Sequence, residues 1–118
     1  MIQDLTRALT NDLLRSAIET GDEFIFPYAE ALKAIEVASV HDIAILGVEA
    51  FEVRKDDFKV LDYSGYEFPF TGDWKAFVEA NNAEAMAFIE ARQLGENHGY
   101  LLTSTSELEF ITLPDRLK

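Results

Sequence analysis

The chain has 118 residues, 48% of them hydrophobic and 12% aromatic, with 22 acidic against 10 basic residues and a formal charge of −12. One folded domain over residues 1–118 is expected, because a chain of this size buries roughly two thirds of its unfolded surface and needs no cross-link. The absence of cysteine excludes disulfides, thiol catalysis and thiolate metal sites; the charge opposes binding to nucleic acid or anionic membrane, both of which need a basic footprint, and favours a basic protein partner.

Ile2, Leu5, Leu9, Leu13 and Ala17 recur at steps of three and four, predicting an opening helix ended by Gly21. The same stretch, MIQDLTRALTNDLLR, lacks a basic start followed by an apolar run, so no secretory signal is expected. With no apolar run of about 18 residues, no membrane span is expected either, and a cytoplasmic location follows. A second helix is predicted from Pro27, whose missing N–H costs nothing in a first turn. Ala31, Leu32, Ile35, Val37 and Ala38 form its buried side, and it fades between Val40 and Asp42.

IAILGVEAFEV (43–53) reads as a buried strand, RKDD (54–57) as a hairpin connection and FKVLDY (58–63) as its antiparallel partner. After an aromatic segment, Asp73 is a candidate N-cap for a helix carrying Trp74, Phe77, Val78, Asn81, Ala85, Phe88 and Ile89. That helix reaches about Gln93, continuous or broken at Asn81-Asn82, and closes at Leu94-Gly95. YLLTSTS (100–106) predicts a third strand and LEFITL (108–113) a fourth. The order α-α-β-β-α-β-β implies an α+β fold: a largely antiparallel sheet of three to four strands with two to four helices on one face.

Catalytic signatures are sparse. His41 and His98 lack zinc-motif spacing, Thr103 to Ser106 have no base placed beside them, and the glycines are scattered, so no metal or cofactor is expected. Strand alternation sets Glu49 with Ile45, Gly47, Phe51 and Val53, and Glu52 with Leu46, Val48 and Ala50, so one of the two should face the helices or a cleft. Burial would raise its pKa toward that of a general base; the alternative is an exposed sheet face beside Lys59 or Arg54.

Residues 62–74, DYSGYEFPFTGDW, place five aromatic rings beside three carboxylates with no basic residue. Rings that exclude water beside acids that meet Arg or Lys have the composition of a binding hot spot. Phe68, Phe70 and Trp74 are assigned to the core. Asp62, Tyr63, Tyr66, Glu67 and Asp73, with Glu49 and Glu52, are candidates for partner contact. From Glu19 to Glu52, eight acids stand against Lys33 alone, as an acidic face would require.

The stretch FPYAEALKAIEVASVHDIAILGVEAFEV, a helix with Ala-Leu leading to an Ile-Leu-Gly strand, resembles immunity proteins of bacterial polymorphic-toxin systems. The later Trp74 and the helix from Ala85 to Ile89 extend the resemblance over residues 26–93. It implies a cytoplasmic antitoxin that binds and blocks a cognate toxin, and it assigns no site residues. The expected function is therefore a non-enzymatic acidic binding protein whose partner is a basic toxin domain, such as a nuclease. A small enzyme using Glu49 or Glu52, or an accessory subunit forming a homodimer, are the alternatives.

Overall fold

The computed structural model describes residues 5, 7–20, 23–55, 57–66, 68–92 and 97–113. Leu5 and Leu9 are buried in the core, and the Leu9 N–H donates to the Leu5 carbonyl (3.1 Å). The expected opening helix does not run on from them. Thr10 takes extended backbone and its hydroxyl accepts from the Leu13 N–H, starting a separate helix α1 (Asn11–Ser16). Strand β1 (Ile18–Thr20) then pairs antiparallel with β2 (Glu23–Phe26). The physical reason lies in IET and EFIF, short runs rich in β-formers, while Gly21, the expected helix stop, lies outside the described residues.

Helix α2 (Tyr28–Val40) follows Pro27 and buries Ala31, Ala34, Ile35 and Ala38. It stops in a left-handed turn. Asp42 has φ 55°, its N–H bonds the Ser39 carbonyl, and the Ile43 N–H bonds that of Ala38 (2.8 Å). Next come β3 (Ala44–Val53), β4 (Phe58–Gly65), α3 (Trp74–Ala91), β5 (His98–Thr105) and α4 (Glu107–Thr112). The sheet is antiparallel throughout, in the order β1-β2-β5-β3-β4.

The α+β class holds, with five strands where three to four were expected and four helices among the described residues. LEFITL is helix, not strand. Ser106 accepts from the Glu109 N–H and its hydroxyl also meets the Glu109 carboxylate (both 3.3 Å), a serine–glutamate cap at the spacing that starts helices. The capped turn delivers Phe110 into a ring cluster with Trp74 and Phe77.

Helix α3 is continuous through Asn81 and Asn82, both 2% exposed. Asn82 Oδ1 accepts from the Ile45 N–H (2.8 Å), while its Nδ2 donates to the Ile43 carbonyl (3.0 Å) and to Ser39 Oγ (2.9 Å). Asn81 accepts from the Phe68 N–H (3.1 Å) and donates to the carbonyls of Phe68 and Phe77 (both 3.0 Å). The Trp74 indole N–H donates to the Asp42 carbonyl (2.7 Å). These bonds fasten α3 to the end of α2, the start of β3 and the aromatic segment.

Buried residues of the helices fall in two clusters. One joins α2 and the C-terminal half of α3 to Phe26, Val48, Ala50, Tyr100 and Leu102; the other joins Trp74, Phe77, Val78 and Phe110 to Ala44 and Leu46. The helices therefore cover one face of the sheet. Asn82→Ala is expected to lower stability by roughly 2–4 kcal/mol, since it strands two buried backbone groups. Ser39→Ala removes one of the two partners of Asn82 Nδ2 and a bond to the Ile35 carbonyl, both at an exposed residue, and is expected to cost about 1 kcal/mol. Urea unfolding of the two variants beside the parent protein checks both values.

Candidate binding face

The opposite face of the sheet is built by alternation. On β3, Gly47, Glu49, Phe51 and Val53 turn away from the helices, because Val48 and Ala50 between them lie in the helix-side core. On β4 their register partners are Gly65, Tyr63, Val60 and Phe58. The β3–β4 register shifts between Ala50 and Phe51, leaving Leu61 as the extra residue of a bulge. On β5 the partners of Gly47, Glu49 and Phe51 are Thr103, Leu101 and Gly99, and Leu101 in turn faces Ile25 on β2.

The face grades from closed to open. Ile25 and Leu101 are buried, whereas toward the free edge Phe58 is 39% exposed, Val60 54% and Tyr63 61%, with Leu61 at 41% beside them. Phe51 and Phe58 meet edge to face, ring centroids 6.4 Å apart. The Tyr63 ring lies across two glycines: a Cβ on Gly47 would come 3.5 Å from its edge, and one on Gly65 3.3 Å from its hydroxyl. Glycine at both positions lets the ring lie down on the sheet. Glu49, directly opposite Tyr63, is half-buried at the centre of this apolar surface.

Of the residues singled out from sequence, only Glu49 and Tyr63 come together here. Asp62 points to the helix side, where the Arg92 guanidinium donates to it and the Tyr63 N–H adds a second bond (2.8 Å). Arg92 also lies over the Phe88 ring, 4.0 Å from its centroid. Tyr66 packs edge-on against Phe77 and Phe110. Asp73 caps α3, accepting from the Ala76 N–H (3.1 Å). Glu67 lies outside the described residues.

Glu52 stands at the far end of β3 opposite Lys59, and its carboxylate accepts from Arg54 (2.9 Å). That bond lowers its pKa, the reverse of the elevation a buried general base would show. Phe70 and Trp74 enter the core as expected. Phe68 does not: its side chain is exposed while its backbone is held by Asn81.

Phe51, Phe58, Val60 and Leu61 were missed as site residues. The signal was available, since F-x-V recurs on both sides of the 54–57 hairpin and a sheet with helices on one side leaves its other side bare. Of the eight acids from Glu19 to Glu52, those whose side chains are described do not gather on this face. Among these, Glu30 and Glu36 border a groove of about 480 Å³ between α1 and α2, Asp42 sits in a turn, and Glu49 and Glu52 lie on opposite faces of β3.

Among the described residues no group of three or more histidine, aspartate or glutamate side chains is placed to hold a metal ion. No described helix is long and apolar enough to cross a membrane. Comparison with protein-family models, with curated proteins and with solved structures finds no match for this chain.

The Arg92 hydrogen bond, aided by that from the Tyr63 N–H, holds the Asp62 carboxyl below its ordinary value. A folded pKa that is depressed gives stability present above the unfolded value, about 3.9, and lost as pH falls through the folded one. The stability gap between the parent protein and Asp62→Asn is therefore expected at neutral pH and should close on acidification. Denaturation midpoints measured from about pH 6 down to about pH 2 check this, and Glu52, present in both proteins, cancels in the difference.

Proposed function

We propose that this chain is a non-enzymatic binding protein of the immunity type, which captures a basic partner, a cognate toxin domain, on the open face of its sheet. The observation that carries this reading is the run of exposed Phe58, Val60, Leu61 and Tyr63 beside Phe51 on a sheet face that the helices leave bare. A contiguous apolar surface on a folded domain marks an interaction site. Charge selects the partner: at −12 the chain repels acidic proteins and draws basic ones toward it.

A second copy of the chain fits this face poorly. It would bring a second Glu49 and the same net charge, and no described strand residue on the face is basic. Like charges brought together across a two-fold interface oppose association. The face favours a basic protein over self-pairing.

The test is a pull-down from the protein's own organism with the tagged chain and with Val60→Lys, each at low and high salt. A basic protein retained by the parent at low salt, weakened at high salt and bound about tenfold or more weakly by Val60→Lys is the expected result. A partner captured equally by Val60→Lys, or held without salt dependence, would overturn the reading. Circular dichroism melts of both proteins establish that the lysine leaves the fold intact.

A further inference from the structure

We infer that the open face receives one arginine side chain of its partner, its guanidinium paired with the Glu49 carboxylate and laid against the Tyr63 ring. This rests on the proposed use of the face and adds the chemistry of its anchor. Elsewhere on these strands the acids are matched within the chain: Glu52 by Arg54 and Asp62 by Arg92. Glu49 has no hydrogen bond or ion pair with any described residue. It is also the only described acid on this face of β3, β4 and β5.

An unmatched carboxylate is tolerable while water reaches it. A partner that covers Phe51, Val60 and Tyr63 removes that water, and a dehydrated, unpaired charge weakens a complex severely. The partner must therefore bring a cation to this point, because the described strand residues of the face supply none.

The neighbouring ring favours arginine over lysine. Tyr63 lies across Gly47 and Gly65 with one side against the sheet and is 61% exposed. A planar guanidinium can stack on the free side of the ring and present two N–H groups to a carboxylate; an ammonium offers only a point charge. Phe51, Phe58, Val60 and Leu61 border the pair on the side of the hairpin and free edge. An apolar surround that excludes water is what gives such a central contact its strength.

The test uses a displayed library of random peptides, selected on the immobilised parent chain and counter-selected on Val60→Lys, so that retained binders use the open face. The expected binders carry an arginine whose replacement by lysine or alanine weakens binding about tenfold or more. Glu49→Gln should cause a similar loss that does not add to that of the peptide substitution, while Glu36→Gln on α2 leaves affinity unchanged. Tyr63→Leu, which keeps the apolar surface and removes the ring, should weaken arginine peptides selectively. Face-dependent binders indifferent to Glu49→Gln, or equally content with lysine, would overturn the anchor and leave the face standing. If no binder distinguishes the parent from Val60→Lys, the face itself falls and the anchor with it.

Discussion

Two adjacent asparagines in the middle of a helix determine how this molecule is put together. Asparagine is a mediocre helix residue, and burying its amide without partners would cost more than burying a hydrocarbon. Asn81 and Asn82 avoid that cost because consecutive helical positions diverge by about 100° and meet two different stretches of backbone. Asn82 accepts from the Ile45 N–H and donates to the Ile43 carbonyl at the start of the central strand. Asn81 reaches both polar groups of Phe68 in the aromatic segment. One helical turn thus aligns α2, β3 and the loop that brings Phe70 and Trp74 into the core.

That fastening explains why the helices gather on one side. With α3 bound to the first residues of β3, and Trp74 bound to the turn that ends α2, the two long helices share the same face of the sheet. The other face is left bare by the described helices. Small residues then shape it: Gly47 and Gly65 let Tyr63 recline, and at Gly99 a Cβ would run to 2.4 Å from the Ile25 side chain. The face is buried beside β2, at Ile25 and Leu101, and open beside β4.

The parts legible in the sequence are those with long, undivided periodicity. Helices α2 and α3, the β3–β4 hairpin and β5 each stand where pattern and length agree. The errors fall on short segments where a local signal competed with periodicity. Leu9 and Leu13 keep helical spacing across Thr10, which nonetheless caps a new helix. Strands β1 and β2 fall where the end of a helix and a link are expected, and Leu108 to Leu113 have strand composition behind a serine–glutamate cap. Within the site, alternation alone put Glu49 with Phe51 and Val53. The fates of Asp62, Tyr66 and Asp73 depended on where Arg92, Phe110 and the α3 N-terminus arrive in space, which spacing along the chain does not encode.

Exposed acids and the open sheet face occupy different places among the described residues, although the helix layer also exposes Val40 and Leu108. Exposed acids such as Glu36, Glu79, Glu90 and Glu107 ride on the helix layer. Their summed field acts at distances comparable to the Debye length, about 8 Å at physiological ionic strength, and would speed the arrival of the proposed basic partner. Placed on the binding face, the same acids would each need a partner cation once water was excluded, and every mismatch would weaken the complex. Among the described residues of β3, β4 and β5 the only acid there is Glu49, between a recumbent tyrosine and a buried leucine, where on the proposed reading one correctly placed cation would satisfy it. On that reading, steering would be spread over the helix layer while discrimination would be concentrated at one residue.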